Sequence, residues 1–99
     1  MKIDYQHNLR LEDTYAKINT FLTDLQEQYS DKISNVKTSW NLNRTHMTGS
    51  MELMGCKTRG TIVLTDGQVT LEGTVPFYLS FFRNKIKKIV TTKLEDLLS

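Results

Sequence analysis

The sequence predicts an α+β fold of order β-α-β-β-β-β-α, with one five-stranded antiparallel sheet and both helices packed on one face, a helix-grip-like arrangement. Three observations predict it. An apolar stripe of helical period runs over residues 10–29, a period of two holds from about 35 to 75, and the helical period returns after the single proline, Pro76. Consecutive strands joined by short turns lie antiparallel, and two amphipathic helices both need an apolar surface. One face of one curved sheet supplies it.

Each element has its own justification. Residues 2–7 alternate, with Ile3 and Tyr5 on one face, and Asn8 is placed to cap the helix that follows. In that helix Leu11, Tyr15, Ile18, Leu22, Leu25 and Tyr29 recur at helical spacing, Phe21 widens the stripe, and Ser30-Asp31-Lys32 ends it. Val36, Thr38 and Trp40 share a strand face, Asn43-Arg44 reads as a turn, and Met47, Gly49, Met51 and Leu53 share the next strand's face. Thr65-Asp66-Gly67-Gln68 is the best local signal, because Asp-Gly suits a type I′ two-residue hairpin. Its register puts Leu64 opposite Val69 and Ile62 opposite Leu71. The junction before it has two readings. Gly55-Cys56 forms a type II′ turn pairing Met51 with Gly60, or Cys56 and Thr58 already belong to the next strand. Pro76 ends the last strand and suits a helix's first turn. The last helix is expected over 77–98, with Leu79, Phe82, Ile86, Ile89, Val90, Leu94 and Leu97 at helical spacing. The predicted core is Tyr15, Ile18, Leu22, Leu25, Trp40, Ile62, Leu64, Val69, Leu71, Phe82, Ile86 and Ile89.

Composition bounds the function. Ninety-nine residues form a single domain, 1–99, with no linker, repeat or low-complexity tract. Thirteen Lys and Arg against eleven Asp and Glu leave a net charge of +2, too balanced for a dedicated DNA binder. One cysteine excludes a disulfide framework and a Cys-rich zinc site. No stretch is apolar enough to span a membrane, and Met1-Lys2-Ile3-Asp4-Tyr5 lacks a signal peptide's apolar run. The expected location is therefore the cytoplasm.

No catalytic or metal-ligating constellation emerges. His7 and His46 have no second ligand at metal-site spacing, so neither a metal nor a cofactor is expected. A Cys56–His46 nucleophile pair would need an orienting acid and an oxyanion hole that nothing in the sequence supplies. Asp66 is accounted for by its turn, Glu52 and Glu72 by solvent-facing strand positions, and the glycines form no phosphate-binding loop. The expectation is a protein that is not an enzyme.

One segment stands out. Residues 76–93 hold four aromatics and five cations without an acid. At about 100° per residue, Leu79, Phe82, Ile86, Ile89 and Val90 centre on one direction, whereas Phe77 and Phe81 fall near Lys85 and Lys88. The two rings either pack under a neighbouring loop or a second copy of the chain, or form an exposed interaction patch of Phe77, Tyr78, Phe81, Lys85 and Lys88. Nucleic-acid stacking is not expected, because the sheet carries no matching aromatic platform.

From residue 71 onward the chain resembles a known family. Leu71-Glu72-Gly73-Thr74-Val75-Pro76-Phe77, then Phe82-Arg83-Asn84-Lys85-Ile86, then Lys93-Leu94-Glu95-Asp96-Leu97-Leu98 is similar to the C-terminal signature of the polyhydroxyalkanoic acid system (granule-region) proteins. Upstream, Gly60-Thr61-Ile62, Trp40 and His7-Asn8-Leu9 resemble that family's strand start, strand aromatic and helix entry. The family often has Phe and Ile or Val where Cys56 and Thr58 stand, and Gly where Asn84 stands, so this strand is more polar. The resemblance implies a small bacterial protein linked to polyhydroxyalkanoate storage-granule gene regions, a context rather than a mechanism. The leading expectation is a non-enzymatic accessory protein, granule-associated in the cytoplasm, that binds the granule surface or another granule protein. The alternative is a small helix-grip-like domain for an acyl or other apolar ligand, with Met47, Met51 and Met54 as adaptable lining.

Overall fold

A computed structural model describes residues 1–74, 80–81 and 83–98. The period of two becomes four consecutive strands: β2 (Ile33–Trp40), β3 (His46–Leu53), β4 (Cys56–Thr65) and β5 (Gln68–Gly73). Each pairs antiparallel with the next, and β1 (Lys2–Gln6) pairs antiparallel with β5, giving the order β1-β5-β4-β3-β2. Helix α1 (Leu11–Gln28) carries the chain from one sheet edge to the other, and α2 (Arg83–Leu98) follows β5. The element order and the α+β class are those the sequence predicts.

The hairpins fix the register. Leu64 faces Val69 and Ile62 faces Leu71, as expected. Neither turn type is the expected one. At Asp66-Gly67 only Gly67 takes a positive φ, 83°, which fits a type II turn and not type I′. The type I′ signature, positive φ at both central residues, falls at Met54-Gly55, with φ of 52° and 87°. Leu53 therefore faces Cys56, Met51 faces Thr58 and Gly49 faces Gly60. The reading in which Cys56 and Thr58 belong to the strand holds, and the Gly55-Cys56 turn does not form. Between β2 and β3, the Asn41 Oδ1 accepts hydrogen bonds from the backbone N–H of Thr45 (2.8 Å) and His46 (3.0 Å), so one side chain organises the loop. The register of β2 slips between Ser34 and Lys37, with Asn35 at φ 52°.

The expected Asn8 cap is absent. Arg10, extended, occupies the position before α1 and makes no side-chain cap hydrogen bond. His7 bonds locally instead, its Nδ1 accepting from the Leu9 N–H at 3.0 Å. Glu12 and Asp13 still place negative charge in the first turn, where it favours the exposed N–H groups.

Ile3, Ile18, Met47, Ile62, Leu64, Val69, Leu94 and Leu98 form the buried core, with Tyr15, Leu22, Trp40, Leu71 and Val90 partly buried against it. Tyr15 meets Trp40 edge-to-face at 4.9 Å, and the Arg44 guanidinium lies 5.0 Å from the Tyr15 ring centre. Two expectations for the last helix are corrected. Ser80 and Phe81, expected inside it, lie in a 3-10 turn, and the described α-helix is Arg83–Leu98; the expected start near 77 lies outside the described residues. Ile89 is 43% exposed, because the row Ile86, Val90, Leu94, Leu98, spaced by four, is the one turned inward. A residue one step away is rotated by about 100°. Val75, Pro76, Leu79 and Phe82 lie outside the described residues, and with them the expected end of the last strand and the start of the inner stripe.

Candidate functional site

Strand pairing arranges the helix-covered face of the sheet in rows. One row reads Ile3, Leu71, Ile62, Met47, Trp40, all apolar. The next reads Gly73, Gly60, Gly49, Thr38 across four strands, three of its four positions lacking a side chain. Beyond it Met51 faces Thr58, and Leu53 faces Cys56 and Ile33.

The glycine row floors an apolar cleft of about 290 Å³ between the sheet and both helices. Its walls are Leu22 from α1, Ile86 and Val90 from α2, and Val36, Met47, Met51 and Leu53 from the sheet. Ser50, Arg59, Thr61 and Glu72 also border it. Strand alternation sends their side chains to the opposite face, so they contribute main chain to the floor. Thr58, buried at the cleft, donates from Oγ1 to the Met51 carbonyl at 3.4 Å, so its hydroxyl is already engaged. The extra polarity noted at Thr58 therefore leaves the cleft apolar.

The three glycines differ in what requires them. None has a positive φ. A Cβ on Gly60 would stand 3.2 Å from the Glu72 carbonyl oxygen, and one on Gly73 would stand 3.3 Å from that of Arg59, so a side chain at either presses on backbone that would have to give by a few tenths of an ångström. A Cβ on Gly49 would meet the Met47 Cε at 3.3 Å, the movable end of a flexible side chain, and the Lys37 carbonyl oxygen at an ordinary 3.4 Å.

The structure separates the residues singled out from the sequence. Met47 and Met51 line the cleft, whereas Met54 sits at the β3–β4 hairpin tip, 59% exposed and apart from them. Phe81 is 92% exposed, and Lys85 and Lys88 are exposed on α2; Phe77 and Tyr78 lie outside the described residues. His46 and Cys56 occupy opposite ends of the β3–β4 hairpin, His46 facing Val63 and Cys56 facing Leu53, so they form no pair. Among the described residues no three His, Cys, Asp or Glu side chains stand together as a metal site. No described helix is long and apolar enough to cross a membrane. Burial disfavours the charged form of His7 and lowers its pKa from the ordinary 6.5.

Sequence reasoning missed the glycine row, although half of it was within reach. The Asp66-Gly67 register, extended outward, already sets Gly60 opposite Gly73. Gly49 joins only when the turn is placed at Met54-Gly55.

Neither curated proteins nor solved structures give a match to this chain. A family model does, over nearly the whole length. Residues 1–98 match the family described as "putative polyhydroxyalkanoic acid system protein", and the chain belongs to that family.

Proposed function

We propose that this is a non-enzymatic accessory protein of the polyhydroxyalkanoate system that binds an acyl chain in the cleft between sheet and helices. The observation that carries the reading is the apolar cleft of about 290 Å³ floored by Gly49, Gly60 and Gly73. Small-molecule pockets start near about 300 Å³ and are mostly apolar. Met47 and Met51 give this one a wall that can adapt to its occupant. The family supplies the context, since the building blocks of a polyhydroxyalkanoate are acyl chains. Calorimetric titration of the purified protein with decanoate and 3-hydroxydecanoate tests the reading. Saturable binding with a negative heat-capacity change is expected, as apolar surface is buried. A natively folded protein that takes up neither ligand ends this reading.

A second reading is favoured by one observation. Phe81, 92% exposed, lies just before the exposed cations Lys85 and Lys88, a combination suited to the surface of a granule or of a granule protein. Co-sedimentation with polyester granules tests it. Phe81→Ser is expected to reduce binding at any salt concentration, and Lys85→Glu with Lys88→Glu to reduce it most at low salt if the surface is anionic. Unchanged sedimentation of both variants removes the patch from consideration, and self-association through Phe81 would appear as a shift in sedimentation without granules.

A further inference from the structure

We infer that Gly49 is the size-determining residue of the cleft, and that the cleft is matched to an unbranched acyl chain of medium length. The inference rests on the acyl-binding reading above and adds to it a ligand class and a specificity residue. Glycine in a strand interior weakens the strand and leaves nothing to pack, so its presence needs a cause. At Gly60 and Gly73 the cause is the neighbouring backbone, at 3.2 and 3.3 Å. At Gly49 neither φ nor a backbone clash demands glycine, since the nearest atom is the mobile Met47 methyl. What glycine leaves there is a thin floor between Met47 and Met51: a Cβ would lie 3.3 Å from the Met47 methyl, 3.4 Å from the Lys37 carbonyl oxygen and 3.6 Å from the Thr38 methyl, so any added side chain must displace Met47 or rise into the cleft.

Size and shape then specify the guest. An apolar void of about 150 Å³ holds a benzene ring. About 290 Å³ therefore corresponds to a chain of roughly ten carbons. Each methylene brought out of water adds roughly a fourfold gain in affinity, until the floor is covered. Longer chains extend into solvent and gain little.

The test is a chain-length series, hexanoate to hexadecanoate, titrated into the wild type, Gly49→Ala and Gly49→Val. For the wild type, affinity is expected to climb by roughly fourfold per methylene and to level off near decanoate. Gly49→Ala should move the plateau to a shorter chain and lower decanoate affinity by about fourfold. Gly49→Val should lower it by more than about tenfold, with hexanoate affinity nearly unchanged in both variants. Their thermal midpoints should equal or exceed that of the wild type, since an added strand side chain favours the sheet. A wild type that binds the series while both variants keep its chain-length profile overturns the role of Gly49 and leaves acyl binding standing. A wild type that binds none of the chains overturns both.

Discussion

The two ends of the helix-covered sheet face carry the same strand alternation yet finish differently. At one end Leu64 and Val69 meet Ile18, Leu94 and Leu98, and every one is buried, while Ile3, Met47 and Ile62, buried too, form the border with the cleft. At the other, Val36, Met51 and Leu53 look across a glycine floor toward Leu22, Ile86 and Val90, and all six are only half-buried. Alternation decides which face of a strand is apolar. It does not decide how much of that face the covering helices fill. The difference lies in side-chain volume: one row is built of Ile, Leu, Ile, Met and Trp, and the next is three glycines and a threonine. The closed end is packed to full burial, and the open end keeps an apolar cleft.

Truncation at the two ends should expose that division most strongly. Leu64→Ala, at a site 1% exposed, should cost about 2–5 kcal/mol in urea unfolding, through lost transfer energy plus a cavity. Met51→Ala, on the cleft wall, should cost under about 1 kcal/mol, because the space it leaves adjoins space already open. Equal losses at both sites would dissolve the distinction between the ends. A smaller effect separates the glycines. Gly60→Ala drives a methyl against the Glu72 carbonyl and should cost about 1–3 kcal/mol. Gly49→Ala, by contrast, should leave stability unchanged or raise it by up to about 1 kcal/mol. Similar destabilisation at both would mean that Gly49 is as sterically confined as Gly60.

Weaker still is the contact of Arg44 with the Tyr15 ring, which closes the core beside Trp40. Arg44→Ala should cost about 0.5–1 kcal/mol, and a double-mutant cycle with Tyr15→Leu isolates the ring contribution. The slightest effect is in pH. Burial lowers the His7 pKa below 6.5, so the folded state binds fewer protons than the unfolded state just below that value. Stability should therefore fall as pH drops through the region under 6.5 and hold steady above it. His7→Gln should flatten that dependence in thermal melts recorded across the range, and an unaltered slope would assign it to other groups.

Much of this architecture was legible because local rules agreed with one another. The period-two segment, the Asp66-Gly67 turn and the alternating apolar pairs all specified one register, and that register is found. The turn chemistry was less readable. A methionine at φ 52° gives no sequence signal, so Met54-Gly55 looked unlike the type I′ turn it makes. Ile89 was misplaced because a stripe of mixed three- and four-residue spacings fixes only an average direction. Packing of Leu94 and Leu98 into the core then chose the four-spaced row. Met47 and Met51 were visible as candidate lining on one strand face. The cleft itself was not, because it is made by missing side chains on three strands, and no single segment shows an absence shared by three.

The slip in register between Ser34 and Lys37 determines how the sheet ends. β2 is an outer strand, and a regular outer strand offers its unpaired N–H and C=O groups to any neighbouring chain. The bulge, the left-handed turn of Asn35 and the exposed charge of Lys37 break that template into two short pieces. Along β2 the sheet therefore ends in an irregular border, and not in a continuous template for another strand.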